Sequence, residues 1–123
     1  MTKARTVTGR RGEDLAVQHL RAQGYCIIRL NYRVSCGEID IIAKDKGVLV
    51  FVEVKTRTGS DFGSPAEGVT YRKQQQISKA ALTYLSQQQL FGTSARFDVV
   101  SILLSKSSEP KIELIKNAFD LSY

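Results

Sequence analysis

Three charged residues stand where apolar ones are expected. Asp40 interrupts the segment Ile39, Ile41 and Ile42, and Glu53 and Lys55 close the apolar run Val48-Leu49-Val50-Phe51-Val52. A Glu-x-Lys by itself is most often a solvated strand end or a surface ion pair, because motifs this short recur by chance. Two carboxylates brought side by side are a different matter. They repel, and they are costly to bury unless a cation joins them. A divalent metal supplies that cation, and Lys55 then supplies a fixed positive charge beside it.

The elements that must hold these groups can be read from periodicity. Along a strand side chains alternate between faces, so Val48, Val50, Val52 and Val54 share one face, and Leu49, Phe51, Glu53 and Lys55 share the other. Both faces begin apolar, which marks a central strand covered on both sides. The charges collect at its C-terminal end, where ligand sites in α/β sheets commonly open. The segment Glu38–Ala43 pairs with this strand as a hairpin, with Lys44-Asp45-Lys46-Gly47 as the turn. A two-residue turn at Lys46-Gly47 sets Asp45 against Val48 and, in the same register, Asp40 against Glu53. A bulge at Gly47 would slip the register by one.

Around this hairpin the sequence predicts a helix from about Arg11 to Gln23, with Leu15, Ala16, Val17 and Leu20 on its apolar face and Gly24 as its stop. A strand follows at Tyr25–Leu30. Residues 56–70 carry three glycines and a proline and read as a loop. A second helix spans roughly Tyr71 to Gln89, with Ile77, Ala80, Ala81, Tyr84 and Leu85 on one face, and strands follow at Arg96–Leu104 and Lys111–Ile115. This order predicts an α/β sandwich around one mixed sheet. Residues 1–10, basic and threonine-rich, read as a flexible arm ahead of a single domain over 11–123. Glu13 lies at the edge of the first helix's apolar face. The residues alone leave open whether it joins the acidic pair or serves as a favourable acid near a helix start.

At 123 residues the chain is long enough to enclose a core, and 42% hydrophobic with 24% charged residues is ordinary for a soluble globular domain. The 18 Lys and Arg outnumber 12 Asp and Glu, a formal charge of +6. That excess suits a polyanion, although solubility accounts for it equally. One histidine, His19, and two cysteines, Cys26 and Cys36, speak against a closed zinc site and against Ser-His or Cys-His chemistry beyond that one base. The N-terminus has no apolar signal core and no stretch approaches a membrane span, so cytoplasm is the default expectation.

Gly37-Glu38-Ile39-Asp40-Ile41-Ile42-Ala43, a short hairpin, and then Phe51-Val52-Glu53-Val54-Lys55-Thr56-Arg57 together resemble the core of PD-(D/E)xK nucleases. Gly12-Glu13-Asp14-Leu15-Ala16 and Arg72-Lys73-Gln74 extend the likeness. It is strongest to the small bacterial YraN-like proteins, related in turn to archaeal Holliday-junction resolvases, and runs from Gly9 to Phe119. Ile39 stands where the motif nominally has proline. The resemblance implies a restriction-endonuclease-like α/β sandwich, its central mixed β-sheet flanked by helices. It also implies Mg²⁺ or Mn²⁺ held by Asp40, Glu53 and the Val54 backbone carbonyl, with Lys55 orienting the attacking water. Glu13 would act on the metal through water. Arg10, Arg11, Arg57 and Lys73 would contact nucleic acid, DNA sooner than RNA, and a homodimer is implied by analogy with the resolvases. The alternatives are a catalytically silent nucleic-acid-binding module and a protein-interaction adaptor on the same fold. Asp98, in Arg96-Phe97-Asp98, reads as structural, and Tyr84 as core; Tyr71 and Tyr84 are the aromatics that could stack a base.

Overall fold

Lys46 and Gly47 take φ of 50° and 84°, the paired positive values of a type I′ turn, whose twist matches that of the strands it joins. The turn fixes the register: Asp45 faces Val48, and the ladder runs back through Ile42 against Phe51 to Ile41 against Val52. The computed structural model describes residues 7–59 and 69–121. In them helix α1 (Val7–Ala22) is followed by strands β1 (Cys26–Val34), β2 (Gly37–Asp45) and β3 (Val48–Thr58), helix α2 (Tyr71–Gln87), and strands β4 (Ala95–Leu104) and β5 (Lys111–Phe119). The five strands lie in sequence order. All neighbours are antiparallel except β3 and β4, which run parallel because α2 carries the chain back across the sheet.

The expected alternation along β3 holds. Leu49 and Phe51 pack under α2 with Ile77, Ala80, Ala81 and Tyr84, whereas Val50 and Val52 pack under α1 with Ala16, Val17 and Leu20. The result is the α/β sandwich expected of a restriction-endonuclease-like fold, with one mixed sheet between two helices. Tyr84 meets Tyr32 and Phe51 edge-on at centroid distances of 5.3 and 6.0 Å, and is core rather than a stacking platform.

Several boundaries move. Helix α1 begins at Val7, not near Arg11, so Arg10 belongs to the helix and not to an arm; residues 1–6 of that expected arm lie outside the described residues. The segment Thr8-Gly9-Arg10-Arg11-Gly12 is a poor helix by propensity, and packing overrides that. Gly12 is buried so close to β3 that an added Cβ would fall 1.9 Å from Thr56 Oγ1 and 3.0 Å from its Cβ and Cγ2. Gly37 likewise lets β2 approach α2, where a Cβ would meet the Gln76 carbonyl at 2.5 Å. Gly12→Ala is therefore expected to lose roughly 1–3 kcal/mol by overpacking despite alanine's better propensity. A denaturant melt reads the loss, and Thr56→Ala in the same chain should recover part of it.

Strands β1 and β5 are longer than periodicity suggested, each by four residues at its C-terminal end. For β5 the reason is Asp98. The β4–β5 register shifts between Phe97 and Val99, and Asp98 Oδ1 accepts the Asn117 N–H at 2.9 Å, so pairing resumes out to Phe119. Asp98 is wholly buried but fully satisfied, taking hydrogen bonds from Tyr25 Oη at 2.8 Å and Arg96 Nε at 2.9 Å. Arg96 also pairs with Asp45 at 2.6 Å and holds its carboxyl below the ordinary carboxylate range. This network ties the hairpin end of β2 to β4 and β5, and bears out the structural reading of Asp98.

Candidate metal centre

From Glu53 onward β3 keeps its parallel partner β4, through Thr58 against Leu104, while its ladder with β2 stops at Ile41–Val52. The reason lies in Asp40. Ile39 and Ile42 both belong to the α2-side core although they are three residues apart, so the alternation of β2 slips between them. At that slip Asp40 Oδ2 accepts the Val54 N–H at 2.8 Å, replacing a ladder bond with a side chain. In an antiparallel pair the N–H and C=O of one residue leave the same strand edge. The Val54 carbonyl therefore faces the edge that Asp40 occupies.

Glu53 points to the α2 face and is only 8% exposed. Burial and then the neighbouring Asp40 carboxyl push its pKa up, from an ordinary 4.5 to about 8. A charged neighbour offsets part of this: Lys73 Nζ lies 3.6 Å from Glu53 Oε1. Lys73 is delivered by the start of α2, where Thr70 adopts an extended backbone and its Oγ1 accepts the Lys73 N–H at 3.2 Å, a helix N-cap. The capping signal is legible in the chain, but the ion pair it produces is not, because sequence spacing does not tell which strand end a helix start will meet.

The predicted residues thus fall into three groups. Asp40, Glu53 and Val54 come together at the open edge of β3. Lys55 and Arg57, half-buried, continue the Glu53 face of the same strand, and Lys73 closes on it from α2. Glu13, half-buried, stands on α1 over the opposite face. It lines a cleft of about 300 Å³ with Arg10, Asp14, Val17, Leu30 and Asn31. Arg11, by contrast, lines a separate cleft of about 680 Å³ with Lys106 and the ends of β3 and β4. Among the described residues, no three His, Cys, Asp or Glu side chains gather into a ready-made metal cage. Two carboxylates and a carbonyl are hard oxygen donors, a set that suits a Mg²⁺ or Mn²⁺ ion that keeps several of its waters. A buried carboxyl that holds its proton to about pH 8 beside a second carboxyl is what such a pair becomes without a cation between them. Asn31 is the cleft residue that sequence reasoning misses, since its only signal is a chain position nine residues before Asp40.

The described residues include no helix long and apolar enough to cross a membrane. A family model described as "Uncharacterised protein family UPF0102" matches residues 12–102. Similar proteins of that name occur in Geotalea uraniireducens, 51% identical over 94% of this chain and 91% of that protein, and in Trichlorobacter lovleyi, 50% identical over 98% of this chain and 96% of its own length. A third, from Geotalea daltonii, is 53% identical over 94% of this chain and 91% of its length.

Proposed function

The chain belongs to the UPF0102 family, and from that premise and the geometry at the end of β3 we propose that it is a metal-dependent nuclease that hydrolyses phosphodiester bonds, DNA being the first substrate to test. The observation that carries this reading is the Glu53 carboxyl, buried against Asp40 with a pKa raised to about 8. A stability-driven fold has no use for a buried acid set beside a second, half-buried one. A site that takes up a cation does.

Asp40, Glu53 and the Val54 carbonyl would hold Mg²⁺ or Mn²⁺. When bound, the ion supplies Lewis-acid activation of water and neutralises charge on the phosphate. Every other part is the chain's own. Val54 N–H fixes the Asp40 carboxylate in orientation. Lys55, next on the Glu53 face of β3, orients the attacking water and counters the charge that builds on the phosphoryl oxygens. Arg57 and Lys73 border the same face and contact phosphates on either side of the scissile bond. Lys73, paired with Glu53 at 3.6 Å, would be free to bind phosphate were a metal to neutralise that carboxylate. Glu13 acts from the α1 side through a water, and Arg10 and Arg11 extend the basic surface along that helix.

The test is a cleavage screen with Mn²⁺ across single-stranded, duplex, flapped and four-way DNA, with chelator and Asp40→Asn as controls. Cleavage of at least one substrate that both controls abolish is the expected result. Binding without cleavage on every substrate would instead mark a silent binding module. Phosphate-dominated binding should also weaken by about 0.9 log unit per log salt for each duplex phosphate neutralised. Affinity flat between low and physiological salt would remove nucleic acid as the partner.

A further inference from the structure

Asn31 carries an oxygen with nothing to do. Its Oδ1 is buried and accepts no hydrogen bond from the described residues. Leaving a buried amide oxygen unmatched costs roughly 1–3 kcal/mol, and native structures keep few such atoms. The backbone is unusual at the same point, with φ of 54°. Asparagine tolerates that conformation, as Asn117 does at φ of 52°, and glycine, which holds positive φ at four described positions, would serve it without adding an orphan acceptor. Backbone shape therefore accounts for an asparagine at 31, as at Asn117, and not for burying its amide oxygen without a donor.

Position supplies the missing reason. Asn31 lies between the pairs Leu30–Ile41 and Tyr32–Ile39, so its neighbour across the β1–β2 ladder is Asp40. The two strands are irregular at facing positions: β2 slips in its alternation at Asp40, and in β1 the consecutive residues Leu30 and Asn31 both line the α1-side cleft. That cleft, about 300 Å³, is the one Glu13 lines. Strain is also present elsewhere in the sheet, at the Ile27/Arg29 and Phe97/Val99 register shifts and at Asn117, but at Asn31 it faces a functional carboxylate, as built sites often have it.

We propose that Asn31 is a positioning residue of the metal centre, its Oδ1 accepting hydrogen bonds from the water shell of the cation on the side that Glu13 faces. The inference rests on the nuclease reading above and adds a residue to its site. It explains why the oxygen finds no donor within the protein: its donors come with the hydrated ion. It also brings Glu13, which lines the same cleft as Asn31, toward Asp40 across the β1–β2 ladder.

The test measures Mn²⁺ binding by calorimetry together with thermal melts of the metal-free protein, for wild type, Asn31→Gly and Asn31→Asp. Glycine deletes the amide at no backbone cost, so the metal-free melting temperature should stay level or rise. Mn²⁺ affinity should fall by about tenfold or more, the usual scale for losing a residue that orders a metal's surroundings. Aspartate keeps an oxygen at the same place and should bind Mn²⁺ at least as tightly as wild type. Wild type that binds Mn²⁺ and Asn31→Gly that binds it equally well would overturn this proposal alone. The same holds if Asn31→Gly lowers the metal-free melt while leaving affinity intact, or if Asn31→Asp binds more weakly than wild type. Wild type that binds no Mn²⁺ would overturn the nuclease reading along with it.

Discussion

Lys55→Met is expected to lose about a hundredfold or more in single-turnover cleavage while still binding Mn²⁺, the scale of removing an electrostatic or acid–base group from a reaction. Methionine keeps the length and the apolar stem of the side chain, so the half-buried position on β3 should stay filled. The ligands proposed for the metal are Asp40, Glu53 and the Val54 carbonyl, and none is altered. Removing a neighbouring ammonium can only favour a dication, so calorimetry should show Mn²⁺ bound as tightly as in wild type or more so. DNA affinity should change little, because one phosphate contact among several is lost. Undiminished cleavage would take Lys55 out of the mechanism. A parallel loss of metal binding would mean that Lys55 organises the acidic pair instead of acting on the phosphate.

Glu53→Gln should abolish metal binding and with it all metal-dependent cleavage, yet make the metal-free protein more stable at alkaline pH. The sign follows from the raised pKa. Folded Glu53 holds its proton up to about pH 8, whereas the unfolded chain releases it near 4.5. Its contribution to stability is therefore full below about pH 4.5 and is lost as pH rises through 8. Glutamine stays neutral throughout, so it removes that slope. Equilibrium unfolding of wild type and Glu53→Gln at pH 6 and pH 9 reads the difference, and the gap should open toward the higher pH. The same proton competes with the metal. Wild-type affinity for Mn²⁺ should thus rise about tenfold per pH unit between 6 and 8 and level off above, with a proton released on binding that shows as a dependence of the calorimetric heat on the buffer. An affinity flat across that range would mean that Glu53 is ionised before the metal arrives. Asp40→Asn makes a useful companion. Its amide oxygen can still accept the Val54 N–H, so the fold should hold while the metal is lost; a clear drop in metal-free stability would show Asp40 to be structural.

Local patterning alone defines the strand that carries the site and the partner it pairs with. Period-two patterning from Val48 to Lys55 assigned each residue to the correct face, because a central strand must be apolar on both sides and any charge in it stands out. Lys46-Gly47 fixed the register, since a two-residue turn leaves no freedom to slip. Those two local rules suffice to bring Asp40 toward Glu53 without reference to any tertiary contact.

What the charges do depends on contacts between distant segments. Asp40 and Asp98 look alike in sequence, each a lone aspartate in an apolar strand. Asp98 meets Arg96 of its own strand, Tyr25 after α1 and the Asn117 N–H of β5, which leave it nothing further to bind. Asp40 meets a second acid, and the burial that raises the Glu53 pKa arises where α2 covers the sheet. The start of α1 at Val7 had the same origin, because contact of Gly12 with Thr56 outweighs the weak propensity of that segment. The orphan oxygen of Asn31 was invisible for a similar reason. Whether a polar atom is satisfied depends on donors brought from distant segments, and spacing along one strand carries no record of them.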